Sequence, residues 1–347
     1  MKNSDTGYRT VDVAAASDLM LPYAIRVAAT LRLADLIASG TSRLEDLAQA
    51  SDTHIDTLGR LLRFLTCRGI FTEPVPGFFA VNEAAQPLQD DHPGRLRLML
   101  DLSEASGRMN LALTDLLETV RTGEAAYPRM FGRTLWDDFN HNPALGASFD
   151  RIMANLTAAV APAVANVLKK ASARHIADVG GGNGVLLETI VREHPLLRGT
   201  LVELPNAAGA ARARFAASNL AGRLEVIEAD FFDQMPPKAD IYLLSAILHG
   251  LSDDNAVRLL TRCAEAVGNN GSVLVIDELL TQDNQPWVTA MDLQLLVFVG
   301  GRLRTLEHLE ELAAAASMNV RTVHQLPANR SLLECVPTAA PRHQARK

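Results

Sequence analysis

From His175 onward the sequence alternates between two textures. Five short β-rich runs stand out: His175-Ile-Ala-Asp-Val179, Thr200-Leu-Val-Glu203, Leu224-Glu-Val-Ile-Glu228, Asp240-Ile-Tyr-Leu-Leu-Ser245 and Ser272-Val-Leu-Val-Ile276. Stretches of helical period separate most of them, notably 206–218 and Asp253–Val267. A strand, a crossover helix and a second strand in one sheet run parallel, and the helix must cover a face. The alternation therefore predicts an α/β fold, with a mostly parallel sheet between helical layers. After a helix over 305–316, the runs 319–326 and 330–336 are expected to close the sheet as a late antiparallel hairpin.

The preceding half reads as almost all helix. Residues 21–37 are Ala/Leu-rich with few breakers. Ser42-Arg-Leu-Glu45 has the form of a capping box opening a short helix to Ala50. Residues 55–68 form a second helix, with Leu58, Leu61, Leu62 and Leu65 inward and Gly69 ending it. Ile70-Phe71-Thr72, the Pro76-Gly77 turn and Phe78-Phe79-Ala80-Val81 then read as a hairpin. Helix, turn, helix, hairpin is the order of a winged helix. A DNA reader of that kind carries a basic footprint. Residues 1–100 instead hold 10 Lys/Arg against 12 Asp/Glu, and the whole chain has a net charge of −7. A dimerisation or packing role is the better use of this region. More helices are expected over 101–170, with a loop at 123–132.

At 347 residues the chain suits about two domains, set here at 1–100 and 101–347, with the helices of 101–170 serving the substrate pocket. A composition of 48% hydrophobic and 21% charged residues excludes a disordered chain. No apolar run is long enough to span a membrane, and Met1-Lys2-Asn3-Ser4-Asp5 leads into polar sequence without a signal core. Cys67, Cys263 and Cys335 are scattered, which argues against a disulfide framework or a zinc site and fits a reducing cytoplasm. Residues 339–347 read as a frayed tail.

Asp178-Val-Gly-Gly-Gly-Asn-Gly184 follows the first of the five strands and opens a helix. Glycines there permit a tight turn and close approach of a ligand to the backbone. The dinucleotide fingerprint needs a third glycine or alanine where Val185 stands, which disfavours a nicotinamide-dependent oxidoreductase. No Gly-Lys-Ser/Thr follows, so the loop is not a nucleotide P-loop. Glu203, about 20 residues on, is placed to accept from both hydroxyls of a ribose. Asp230 can accept from an adenine amino group, and Phe231 can lie against the ring. All fall at carboxyl ends of strands, where open α/β sheets bind ligands.

These segments, with Glu203-Leu-Pro205, Ala229-Asp-Phe-Phe232 and Leu248-His249, resemble in order the motifs of S-adenosylmethionine-dependent small-molecule O-methyltransferases of the caffeic-acid, hydroxyphenazine and anthracycline type. The resemblance covers nearly the whole chain. It implies a Rossmann-like methyltransferase sheet preceded by a mainly helical, winged-helix-like dimerisation domain, and a homodimer. It implies S-adenosylmethionine as cofactor, held by Asp178, Gly180, Gly182, Gly184, Glu203, Asp230, Phe231 and Ser245, and S-adenosylhomocysteine as product. His249 matches the family's general base. Asp277 matches the Glu that orients it; Glu278 is adjacent but should face the other way along the strand. Trp136, from a loop after Gly132, Phe149, Met153, Met291, Gln294 and Phe298 match the walls of the acceptor pocket. A small aromatic molecule bearing a hydroxyl is the implied substrate, and with only 5% aromatic residues in the chain, methionines and aliphatics must form much of that pocket.

The sequence also departs from the family pattern. Ser245 stands where relatives have Lys, Gly250-Leu251 where they have Asp-Trp, and Leu303 where many have a second Glu beside the base. Some members have turned to other chemistry, so hydroxylation or decarboxylation with a retained cofactor is the second reading. A ligand-sensing DNA-binding regulator is a third, opposed by the acidic first hundred residues. No metal is expected: Asp253 and Asp254 are adjacent and point apart, which suits capping the 253–267 helix and complementing its dipole.

Overall fold

The computed structural model describes residues 11–338 except Ala171, Ala221, Pro237 and Asn284; the leading residues and the 339–347 tail lie outside them. The chain divides into two compact units, residues 1–108 and 109–347. No described helix is long and apolar enough to cross a membrane.

The first unit holds helices Met20–Thr30, Leu33–Ala38, Leu44–Ala50 and Ile55–Cys67, then strands β1 (Phe71–Val75) and β2 (Phe78–Val81) as an antiparallel pair. Its core includes Ala28, Leu33, Leu47, Leu58, Leu62, Leu65 and Phe71. Leu61, expected to face inward, is only partly buried.

Two local expectations fail. The helix expected over 21–37 is broken at Arg32, which adopts a left-handed φ of 55°. Its guanidinium pairs with Asp90, 58 residues on, and lies 3.7 Å from Asp35, so a long-range ion pair helps hold a turn that the local period does not signal. The Ser42–Glu45 capping box also does not form: Arg43 is the N-cap and makes no side-chain cap bond. The hairpin takes over instead. Leu44 N–H donates to Gly77 O, and Phe79 N–H to Ser42 O, each at 2.9 Å.

The second unit is a seven-stranded sheet. Its strands are β3 (His175–Val179), β4 (Arg198–Glu203), β5 (Leu224–Glu228), β6 (Ile241–Ser245), β7 (Ser272–Glu278), β8 (Met318–Gln325) and β9 (Arg330–Pro337), in the order β5-β4-β3-β6-β7-β9-β8. The first five are parallel, and β9 joins β7 antiparallel with β8 outside it. Side chains alternate between two cores. Ile176, Leu201, Leu243, Leu274 and Ile276 pack with helices Pro143–Val167 and Val185–Glu193. Ala177, Val179, Tyr242, Leu244, Val273 and Val275 pack with Asp253–Val267 and Leu306–Ala315. Burial on both faces explains why these strands read as continuous apolar runs.

Helix Ala126–Phe131 forms inside the segment expected to be a loop, and Gly123 and Gly132 are the left-handed caps of two successive helices. Trp136 likewise lies in helix Leu135–His141 rather than in a loop. Strand order fixes where a ligand can enter. The chain builds outward from β3 to β4 and β5, then returns to the other side for β6 and β7. The crevice beside the carboxyl end of β3 is the switch point of such a sheet.

Candidate active site

The glycine loop leaves β3 at this switch point. Gly180, Gly182 and Gly184 all have positive φ. Gly184 is the N-cap of Val185–Glu193, and a Cβ there would lie 2.5 Å from the Phe215 ring. A Cβ on Gly182 would meet nothing within 4 Å, so this turn faces open space. Glu203, at the end of β4, accepts from Gly182 N–H at 2.9 Å and from Leu204 N–H at 2.7 Å. A carboxylate has about four acceptor positions, so capacity remains for two ligand hydroxyls. Burial pushes Glu203 above the ordinary carboxyl range; its two backbone hydrogen bonds oppose this, and the charges of Asp150 and Asp230 reinforce it.

Asp178 is wholly buried under the loop, and neither carboxyl oxygen has a hydrogen-bond partner among the described residues. Burial first, then the charge of Glu203, pushes its pKa up to about 7. Asp230 is exposed beyond β5; it accepts from Phe232 N–H at 2.7 Å, with Phe231 stacked obliquely on Phe232. Ser245 ends β6 and is followed by Ala246 at a φ of 57°. That left-handed alanine turns the chain into the short 3-10 helix Leu248–Gly250, which carries His249.

This turn is fixed from several sides. Arg304, itself buried, donates to Leu248 O at 2.6 Å and to Leu251 O at 2.7 Å, and pairs with Asp253. Arg302 N–H donates to His249 O at 2.9 Å. Gly301 packs so closely that a Cβ would sit 2.1 Å from that same oxygen. Asp253 therefore serves as the acid for Arg304 rather than as a cap; Ser252 is the N-cap of Asp253–Val267, accepting from Asn255 N–H. Both Asp253 and Asp254 do stand in the first turn, where they complement the dipole.

His249 is 9% exposed. Its Nδ1 is hydrogen-bonded to Asp277 Oδ1 and lies 4.0 Å from Glu278 Oε2. Glu278 is thus close, although it follows Asp277 in the strand, because the imidazole sits at the end of β7. Burial pushes the imidazole down, but the charge and hydrogen bond of Asp277 and the charge of Glu278 outweigh it, with Arg330 opposing; the net shift is above 6.5. Donor atoms of His249, Asp277 and Glu278 all lie within 4.8 Å of one another, a spacing that suits a cation, and Arg330 Nε already reaches Glu278 Oε1 at 2.8 Å.

Of the acceptor-pocket candidates, Trp136 and Phe149 meet edge to face at 5.6 Å, and Phe139 joins Phe149 at 5.1 Å. Met153 is half-buried on the same helix as Phe149. Helix Pro286–Val299 packs against the Leu248–Gly250 turn; on it Phe298 is buried, Met291 half-buried and Gln294 exposed. Leu303 is buried, and its N–H donates to Asp292 at 2.6 Å.

Sequence reasoning missed Phe139, Asp150, Arg304 and Arg330. Asp150 lies beside Phe149, and burial pushes its pKa up to about 6. Phe139 shares a helix with Trp136 and could have been found by its i,i+3 spacing. Nothing local marks the two arginines, whose partners are distant in sequence.

The match to an O-methyltransferase domain covers residues 113–319, and residues 13–90 match an O-methyltransferase dimerisation domain. The chain belongs to the O-methyltransferase family. This O-methyltransferase is 41% identical over 316 residues to 2,7-dihydroxy-5-methyl-1-naphthoate 7-O-methyltransferase of Streptomyces carzinostaticus, across 91% of this chain and 95% of that protein. It is 39% identical to aclacinomycin 10-hydroxylase RdmB of Streptomyces purpurascens, across 94% and 91%. The crystal structure of NcsB1, an O-methyltransferase from neocarzinostatin biosynthesis in complex with S-adenosylmethionine and 2-hydroxy-5-methyl naphthoic acid, aligns with a TM-score of 0.89 and 40% identity, covering 95% of this chain and all of that one. The enzyme is S-adenosylmethionine-dependent, and the buried, unpartnered Asp178 beneath an open glycine turn fits a ligand that brings hydrogen-bond donors.

Proposed function

We propose that this O-methyltransferase methylates a hydroxyl of a small aromatic metabolite, with His249 as the general base. The observation that carries this reading is the buried His249–Asp277 pair on the rim that also bears the glycine loop. With Nδ1–H donated to Asp277, Nε2 keeps its lone pair. A neutral imidazole can then take the proton of a phenolic hydroxyl, whose pKa near 10 otherwise leaves it a poor nucleophile at neutral pH. Asp277 stabilises the imidazolium that results.

Bound S-adenosylmethionine supplies a methyl group already activated by its positive sulfur. Asp178, the turn Gly180–Gly182–Gly184 and Ser245 would hold it, with Glu203 on the ribose hydroxyls and Asp230 and Phe231 at the adenine. Trp136, Phe149, Met153, Met291, Gln294 and Phe298 would line the acceptor site, to which Phe139 is added by its contact with Phe149. Holding the acceptor in line can be worth several kcal/mol, up to roughly 7–11. Residues 13–90 would join two copies, as the name of the matching domain suggests.

A panel of phenols, hydroxyphenazines and hydroxynaphthoic acids with methyl-labelled S-adenosylmethionine tests the reading. Label in the product and a mass gain of one methyl group are expected. A gain of one oxygen, or loss of carbon dioxide, would transfer the chain to the second reading that the hydroxylase relative keeps in view.

A further inference from the structure

His249 faces two acids rather than one. Asp277 takes its Nδ1–H, and Glu278 Oε2 stands 4.0 Å from the same nitrogen. Both acids are buried. Two unscreened carboxylates stabilise an imidazolium, and an imidazole already holding that proton cannot accept one from a hydroxyl. Arg330 counters this. Its backbone pairs with Glu278 across β7 and β9, and its Nε donates to Glu278 Oε1 at 2.8 Å. The positively charged guanidinium is also buried.

We propose that Glu278 and Arg330 act as a pair that sets the proton affinity of His249. Glu278 supports the imidazolium formed when the hydroxyl's proton arrives. Arg330 offsets enough of that charge for His249 to begin each cycle neutral. Neither needs to touch the acceptor; both are positioning residues acting through the base. With His249 neutral, the two acids and the arginine carry a net −1, and proton uptake brings the cluster to zero. Without Arg330 it would run from −2 to −1, and the proton would be held more tightly.

The hydrogen bonding supports a field role over a purely structural one. Arg–carboxylate pairs are frequently bidentate, with both carboxylate oxygens bonded. Here Glu278 Oε2, the oxygen nearest the imidazole, and Arg330 Nη1 are both buried without a hydrogen-bond partner among the described residues. The other charged groups around the turn are engaged with one another. Asp253 pairs with Arg304 at 2.8 Å, His308 at 3.2 Å and Arg302 at 3.6 Å. From helix Pro286–Val299, Asp292 accepts Leu303 N–H.

The inference rests on His249 being the base, but it can be measured without turnover. The full-length enzyme with ring-labelled histidine, saturated with S-adenosylhomocysteine, is titrated by NMR; the His249 signal is the one absent from His249→Gln. Arg330→Met should raise the His249 midpoint by about one pH unit or more, and Glu278→Gln should lower it. Arg330→Lys should restore most of the wild-type value. The proposal is overturned if both Arg330→Met and Glu278→Gln leave the midpoint within about 0.2 pH unit of wild type. If Arg330→Met does not fold, the near-isosteric Glu278→Gln decides alone, and an unmoved midpoint sinks the proposal. Shifted midpoints together with undiminished turnover in His249→Gln would reject the base and leave the charge coupling standing.

Discussion

Asp277 holds His249 by both of its oxygens: Oδ1 takes the imidazole Nδ1–H, and Oδ2 takes the backbone N–H of the same residue at 3.3 Å. One carboxylate thus fixes the ring's tautomer and anchors the turn that carries it. Asp, a methylene shorter than the Glu of relatives, reaches because the 3-10 turn brings His249 down onto the end of β7.

Removing the proposed base should cost chemistry and spare binding. His249→Ala is expected to lower turnover about 10²–10⁴-fold, with the dissociation constant for S-adenosylmethionine unchanged by calorimetry. Full turnover in this variant would remove His249 from the mechanism.

The pH profile follows from the same pair. As the proposed base, His249 must be neutral to act, and its pKa is raised above 6.5, so kcat should rise as pH climbs through that raised value. Asp277→Asn removes the main charge that raises it and should move the midpoint downward while reducing the plateau. Stability runs the other way: the protonated pair's contribution is complete below about 6.5 and is lost as pH rises through the raised value. Rate and thermal-melt profiles across pH 5–9 check both signs.

Arg304 should matter to the fold of the turn more than to any ligand. Arg304→Ala strips the buried Leu248 O and the part-buried Leu251 O of their donor and frees Asp253. A loss of about 2–4 kcal/mol in denaturant unfolding is expected, along with reduced kcat from a loosened His249. Unchanged stability would show that water satisfies these carbonyls.

Burial of Asp178 and the nearby charge of Glu203 disfavour its ionised form. Its carboxyl, pushed up to about 7 from 3.8, favours the folded state when protonated, and that benefit fades as pH rises through about 7. Asp178→Asn should therefore stabilise the ligand-free protein at pH 8, on the order of 2–4 kcal/mol, while weakening S-adenosylmethionine binding. The melting difference should shrink toward pH 5.

Two glycines of the loop should separate binding from folding. Gly184→Ala drives a methyl group into the Phe215 ring and should destabilise the sheet-facing core by about 1–3 kcal/mol beyond its backbone strain. Gly182→Ala meets no atoms. It should cost only about 1 kcal/mol of strain in stability and show its main effect on S-adenosylmethionine affinity. Calorimetry and thermal melts on both variants check the split.

The alternation of apolar runs determined the second unit, because strands buried on both faces and crossed over by helices leave a pattern that no other packing explains. The rim positions of the glycine loop, Glu203, Asp230 and His249 were legible for a related reason: each sits at or just past the end of a strand, so sequence position fixes position on the rim. Tertiary structure decided the rest. Arg32 breaks a helix that its local sequence favours, and the hairpin replaces the Ser42 capping box. The charges around His249 were settled in the same way. Glu278 follows Asp277 and was expected to face away, yet the turn sets the imidazole where both acids reach it. Arg330 and Arg304 come from 52 and 51 residues downstream of their acidic partners. Local sequence encodes period, turns and strand ends; it does not encode which charges share a low-dielectric site, because that depends on how distant segments pack.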